Sequence, residues 1–367
     1  MVLVEQAPYI IMFTIKETNK VKGIAVLLLL FHHLFSAESN YIYSVMTVEQ
    51  GVMNKLIAVG VMARICVWLF AFLSAYGLSC KYMEWKKSDT KFCLKYLISI
   101  IQSLLIVYII VFIINVLQGR APWEYYNHNI RWAFLDMFGW ADFFGTPTFC
   151  GAWWYMCFTQ VMIIMLPFCV KLLKQFGFIV IPFTYIFLYF LQGCGLGSNF
   201  SGNYCDYLIC TLLGCWCAMY GFFDKLEAKR WRGFKGVIVA VAALAVIAWF
   251  TLWRYRLLIN GDVRGLQGTL AALTAFLISV FSYMRIRSKI FEVPLEFLGK
   301  HSSGMYLFHV IIYAQFPQIV FWSKNPVISY IVLLVISLVV SILISMVRKY
   351  SKYDQLFKNL VNKLLQY

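Results

Sequence analysis

Apolar residues in this chain do not alternate with polar ones at a strand period, nor do they form one stripe of a surface helix. They come in long, nearly charge-free runs separated by short polar stretches. The runs cover residues 21–36, 56–79, 95–118, 152–172, 176–192, 204–222, 236–253, 266–284, 303–322 and 326–347. A helix needs roughly 20 mostly apolar residues to cross a bilayer core about 30 Å thick, and a helix is needed because no water is available there to satisfy an unpaired backbone. The pattern therefore predicts an all-α, polytopic integral membrane protein of about ten transmembrane helices. The first and fifth runs are short, so tilt or helix extension is expected there.

Composition agrees. The chain of 367 residues is 62% hydrophobic and 13% charged, against about 25% charged in a soluble domain. A formal charge of +16 would suit nucleic acid, but the placement of the cations argues against it. With the N-terminus inside, 24 of the 32 Lys and Arg fall in inner segments, 7 in outer ones, and Arg64 lies within a span. That asymmetry is the positive-inside pattern, and it sets both termini in the cytoplasm. The eleven cysteines lie mostly inside apolar runs and form no CxxC pair, which reads as small buried hydrophobes. Cys194 and Cys205, in or beside one outer segment, are the pair that an oxidising compartment would allow. The first run ends in "HHLFSAES" without a small-x-small cleavage site, so it is read as a retained helix. Residues 1–367 are read as a single transmembrane domain without a soluble accessory domain. The longest outer segment, 119–151, is rich in Trp, Tyr and Phe. It suits either an interfacial segment or a cover over a cavity.

Ionisable residues inside a span carry a desolvation cost and so point to function. Here they are His32, His33, Arg64 and His309. Lys22 and His33 are eleven residues apart, which on a helix is an offset of about 20° and a rise of about 16 Å. They share a face, with the cation near the cytoplasmic mouth and the imidazole well into the membrane; His32 points roughly 100° away. In "GKHSSGMYLFHVII", Ser302, Tyr306 and His309 fall at i, i+4 and i+7 and share another face. Two histidine-bearing helices suggest one polar cavity; hydrogen-bonded helix packing is the alternative for Ser302 and Tyr306. Arg64, in the outer part of the second span, either snorkels outward or meets an anionic or polyhydroxyl ligand. Trp154 and Tyr155 stand at the outer boundary of the fourth span, as an aromatic belt or a sugar-binding face. Neighbouring histidines diverge too far to chelate one ion, and there is no HExxH, so no metal is expected.

These stretches resemble the membrane-bound acyltransferase-3 family, whose members include O-acyltransferases of surface polysaccharides. "VKGIAVLLLLFHH" is similar to the family's Lys/Arg-x10-His pattern, with Lys22 and His33 at its ends. "ICVWLFAFLSAYGLS" and "WWYMCFTQVMIIMLP" look like its second and fourth span motifs, and "LGKHSSGMYLFH" like its late Ser-Tyr-His motif, matching at Ser302, Tyr306 and His309. Where some members carry a Glu near the fourth motif, this chain has Gln160. The resemblance implies a fold of about ten spans and a cytoplasmic acyl-CoA donor, commonly acetyl-CoA. It further implies a polysaccharide or lipid-linked glycan acceptor, lipid surroundings and a place in the bacterial cytoplasmic membrane. On that reading His33 is the catalytic base or acyl carrier, His32 or His309 orients it or carries the proton, and Lys22 admits the donor. Arg64, Trp154, Tyr155, Ser302 and Tyr306 would line the acceptor side. A transporter or flippase for a small solute or lipid-linked glycan is the rival, and CoA-thioester turnover separates the two.

Overall fold

The computed structural model describes residues 13–36, 46–193, 202–228, 233–261 and 264–366; Cys194 of the suggested cysteine pair lies outside them. Among the described residues the chain is helical and holds no strand. In chain order the helices are α1 (Ile15–Phe35), α2 (Gln50–Ala63), α3 (Cys66–Met83), α4 (Asp89–Leu117), α5 (Pro122–Tyr125), α6 (Ile130–Met137), α7 (Ala141–Phe144) and α8 (Trp154–Phe176). They continue as α9 (Val180–Gly193), α10 (Gly202–Met219), α11 (Phe222–Ala228), α12 (Gly233–Asn260), α13 (Arg264–Arg285), α14 (Lys289–Gln315), α15 (Pro317–Val320), α16 (Pro326–Tyr350) and α17 (Tyr353–Gln366).

Local chemistry sets several of these boundaries. Ser88 caps α4, its hydroxyl accepting from Lys91 N, with Asp89 in the first turn. Asn325 caps α16 by accepting from Val327 N and Ile328 N, and Pro326 occupies the first helical position, where its missing N–H costs nothing. Inside α8, Pro167 cannot donate to the carbonyl of Ile163. The Cys93 thiol donates to that carbonyl at 3.4 Å instead.

Six stretches among the described residues are long and apolar enough to cross a membrane: Gln50–Met83, Asp89–Leu117, Gly151–Phe190, Gly233–Asn260, Leu266–Arg285 and Pro326–Tyr350. The expected run 56–79 is not one uninterrupted helix. It breaks between α2 and α3 at Arg64, the one charged residue within it. The Gly151–Phe190 stretch is 40 residues long, about 60 Å as one helix, twice a bilayer core. It turns in the middle through a short 3-10 segment, Gly177–Ile179, where Gly177 has φ +66°.

The chain divides into two compact units. The first comprises Met1–Ala25, Arg64–Met83 and Phe168–Lys300; the second comprises Val26–Ala63, Glu84–Pro167 and His301–Tyr367. In the first, the early turns of α1 pack so closely on α14 that side chains at Gly23 and Gly299 would collide with the backbones of Leu295 and Asn19. Small residues at such crossings are how helices gain packing energy in lipid. Lys20 is 1% exposed there, and its Nζ is held by Glu17 (2.6 Å), Glu292 (3.5 Å) and the Ile286 carbonyl (3.0 Å). This makes Lys20 a structural cation.

In the second unit, the segment 119–151 does more than connect α4 to α8. Gly139 touches Gln160 and Leu104; a Cβ on it would stand 2.9 Å from Gln160 Nε2 and 2.9 Å from Leu104 Cδ2. Leu104 lies thirteen residues before the end of α4, about 20 Å along the helix. Part of the segment thus folds back alongside α4. Non-helical backbone buried in this way must have its polar groups satisfied by protein. Gln160 Nε2 meets this need by donating to the carbonyls of Phe138 (3.0 Å) and Gly139 (3.4 Å). Asp136, 1% exposed, pins the rest: its Oδ2 accepts from Tyr126 Oη at 2.6 Å and from Phe149 N at 2.9 Å. Tyr108 Oη donates onward to Tyr126 Oη at 3.3 Å. Burial pushes the Asp136 carboxyl above its ordinary range, against the lowering effect of these hydrogen bonds.

Candidate functional site

Three imidazoles meet in the second unit. His32 and His33 arrive on α1 and His309 on α14. Ring centroids lie 4.6 Å apart for His33 and His309, and 5.0 Å apart for His32 and His33. His32 is held from one side by the main chain of α2, with its Nδ1 2.8 Å from the Gly60 carbonyl oxygen. That approach requires glycine: a Cβ at Gly60 would stand 2.7 Å from the Phe35 carbonyl carbon. His309 is held within its own helix, with Nδ1 2.7 Å from the Tyr306 carbonyl oxygen.

A carbonyl only accepts, so in both rings Nδ1 carries the hydrogen. In the neutral ring Nε2 is then the basic nitrogen. The Nε2 of His309 is buried, in a residue with 0% exposure, and has no hydrogen-bond partner among the described residues. Leaving such a nitrogen unpaired costs roughly 1–3 kcal/mol.

The rings continue beyond the histidines. Tyr306 lies 6.1 Å from His309, Tyr155 lies 5.8 Å from Tyr306, and Trp154 lies 5.9 Å from Tyr155, centroid to centroid. Tyr155 and Tyr306 are buried and Trp154 is half-buried. The Tyr306 hydroxyl donates to the Ala152 carbonyl, and Trp153 Nε1 donates to the Leu307 carbonyl at 3.0 Å. The two bonds clamp α14 to the 3-10 turn (Gly151–Trp153) that opens α8. Ser302 is buried on α14. The residues from distant parts of the sequence that this unit brings together are therefore His32, His33, His309, Tyr306, Tyr155 and Trp154.

Lys22 and Arg64 belong to the first unit. Lys22, unlike Lys20 two residues earlier, makes no ion pair among the described residues and is half-buried on α1. Arg64 sits at the α2–α3 break and hydrogen-bonds the side chain of Tyr207.

Several contributors escape a reading of the sequence. Gly60 supplies a backbone acceptor, which no side-chain pattern reveals. Trp153, beside the two singled-out aromatics, carries the α14 clamp through its ring N–H. Asp136 stands in a segment whose polar and aromatic mix reads as interfacial.

A family model described as an acyltransferase domain matches residues 18–346. The match runs from the first turn of α1 to the last turns of α16 and so takes in both units. No curated protein and no solved structure matches the chain.

Proposed function

Because the chain belongs to the acyltransferase-3 family, we propose that it moves an acyl group, acetyl foremost, from cytoplasmic acyl-CoA to a hydroxyl of a surface or lipid-linked glycan. That it is a membrane acyltransferase of the general kind follows from the family and from its long apolar helices. The donor, the acceptor and the assignment of residues are our reading. One observation carries it: the His33 and His309 rings lie 4.6 Å apart, with the Nδ1 of His309 tied to a carbonyl and its Nε2 unpartnered.

In this reading His33 removes the proton from the acceptor hydroxyl as the oxygen attacks the thioester carbonyl. The new C–O bond forms, the C–S bond breaks, and the CoA thiolate takes up the proton. The proton passes between imidazoles, with the His309 Nε2 as the receiving atom beside His33 and His32 orienting the pair. General acid–base catalysis of this kind is worth typically 10²–10⁴-fold. Tyr306, Tyr155 and Trp154 extend the site as an aromatic wall for a sugar face, with Ser302 on the same helix. Lys22, free of an ion-pair partner among the described residues, meets the phosphates of the donor.

The reading includes ten spans with both termini in the cytoplasm of a bacterial cell. The six stretches noted above support it when α1, α10 and α14 are added and the Gly151–Phe190 stretch is counted twice. The excess of cations in the proposed inner segments gives the orientation. Reporter fusions at the C-terminus and in the 119–151 segment test the topology; a C-terminus reporting from outside would reverse it.

The activity is tested with the full chain in proteoliposomes, radiolabelled acetyl-CoA outside and a glycan acceptor supplied. Release of free CoA with label on the acceptor supports the reading. Solute or glycan flux without CoA release supports the transporter instead. Undiminished transfer by His33→Ala would remove His33 from the mechanism, and unchanged donor affinity in Lys22→Ala would leave that lysine a topology charge.

A further inference from the structure

Arg254 is counted from the sequence as one of the outer topology charges, yet it is among the most buried polar residues of the first unit, at 2% exposure. It lies six residues before the end of α12. Its guanidinium carbon stands 4.7 Å from the centre of the Trp68 ring, on α3. Its Nε is buried without a hydrogen-bond partner, and no carboxylate pairs with it among the described residues. A buried cation without a partner is strongly destabilising. A cation–π contact with a single ring offsets only part of that cost. The remainder calls for an anion.

The surroundings are built rather than accidental. Trp68 is fixed by its ring N–H, which donates to the Asp206 carbonyl at 3.2 Å, and its ring lies 4.7 Å from that of Tyr207. Tyr207 in turn hydrogen-bonds Arg64. Arg64 and Asp206 both act electrostatically on Arg254. Two guanidinium groups, one from the α2–α3 break and one from α12, thus converge on one indole and one phenol. They lie at the start of α3, near the start of α10 and near the end of α12, ends that share one side of the membrane in the topology proposed above.

We propose that Arg254 and Arg64 form a binding site for the phosphate group of a membrane amphiphile. A guanidinium fork presents paired N–H donors that match phosphate oxygens, and Arg is weakly enough hydrated to be buried with them. A tetrahedral phosphate has enough oxygens for two such forks at once. A lipid headgroup and the phosphate of a lipid-linked glycan share this chemistry. The site does not depend on acyl transfer: it lies wholly within the first unit, and its occupancy is read without turnover.

The test uses the full chain in detergent, with thermal unfolding followed as each probe is added. The probes are phosphatidylglycerol, a polyprenyl diphosphate, inorganic phosphate and uncharged diacylglycerol. We expect at least one phosphate-bearing amphiphile to raise the melting temperature saturably, and diacylglycerol not to. A response to the polyprenyl diphosphate at lower concentration than to phosphatidylglycerol assigns the site to a carrier lipid; the reverse assigns it to the bulk lipid. The half-saturating concentration should rise at least tenfold in both Arg254→Gln and Arg64→Gln, with part of the affinity retained in Arg254→Lys. Should Arg254→Gln fail to fold, Arg64→Gln, at the less buried guanidinium, decides alone. Equal responses in wild type and Arg64→Gln, or a response to diacylglycerol equal to that for the charged lipids, would overturn the proposal. Loss of CoA turnover in His33→Ala with the lipid response intact would separate this site from the acyltransfer reading.

Discussion

His33 and His309 stand with ring centroids 4.6 Å apart, one on the first helix of the chain and the other on α14. Their proximity requires two helices, each mostly apolar, to turn an imidazole toward the same point. In the second unit the main chain then sets the outer nitrogens: Gly60 for His32 and Tyr306 for His309. If the trio acts as proposed, His309→Gln keeps an amide able to donate to the Tyr306 carbonyl but lacks a basic nitrogen. Turnover should fall about 10²-fold or more, with the melting temperature nearly unchanged. Labelled acetyl transfer and thermal unfolding of the same preparation check this; equal loss of both would make His309 a packing residue.

Gly60 gives a test that removes no functional group. A Cβ there would meet the backbone of Phe35 and Ser36 at 2.7–3.0 Å, where nothing can rotate away. Gly60→Ala should separate α2 from α1 and cost about 1–3 kcal/mol. Because the Gly60 carbonyl fixes His32, activity should fall further than stability alone explains. Turnover measured well below the unfolding temperature separates the two effects.

Asp136 makes the 119–151 segment sensitive to pH. Burial raises its carboxyl above the ordinary value, so between the unfolded and folded values the folded chain binds more protons. Its contribution is therefore greatest below the unfolded value and is lost as pH rises through the folded one. Asp136→Asn retains an oxygen that accepts from Tyr126 and Phe149 N and removes the titration. The melting temperature should decline less steeply with rising pH above the ordinary carboxylate range in the variant than in the wild type. Parallel curves would show that other groups govern that slope.

How much of this was legible in the sequence depends on what lipid makes visible. A span must be a long apolar run, and an imidazole or guanidinium inside it stands out. Hence His32, His33, His309 and Arg64 are found at once, and Lys22 is linked to His33 by helical spacing. The partners are hidden for a physical reason. The acceptors at Gly60 and Tyr306 are backbone carbonyls, which every residue has. The break at Arg64 has no Pro or Gly to announce it. The path of 119–151 is ambiguous because aromatic and polar residues suit a headgroup layer and a cover over a cavity alike. Arg254 is hidden by its position near a span end, where a cation ordinarily reads as a topology signal.

Gln160 shows how one atom of side-chain chemistry holds that path. Its Nε2 donates to two carbonyls, Phe138 at 3.0 Å and Gly139 at 3.4 Å, and the residue is 1% exposed. Gly139 itself has φ +77°, a left-handed conformation that the contact with Leu104 and Gln160 leaves no room to change. Gln160→Glu is nearly isosteric but, when ionised, sets a carboxylate against two carbonyl oxygens. Loss of the bonds, with the buried acceptors left unpaired, costs roughly 1–3 kcal/mol, and burial of the charge adds to it. At low pH the protonated acid regains one donor, so the variant's carboxyl is favoured in its neutral form and its deficit should grow as pH rises. The measurement is the difference in melting temperature between Gln160→Glu and wild type across pH. A difference that stays constant with pH would mean that the carboxyl had found a cation or water, and that the amide is not what holds Phe138 and Gly139 in place.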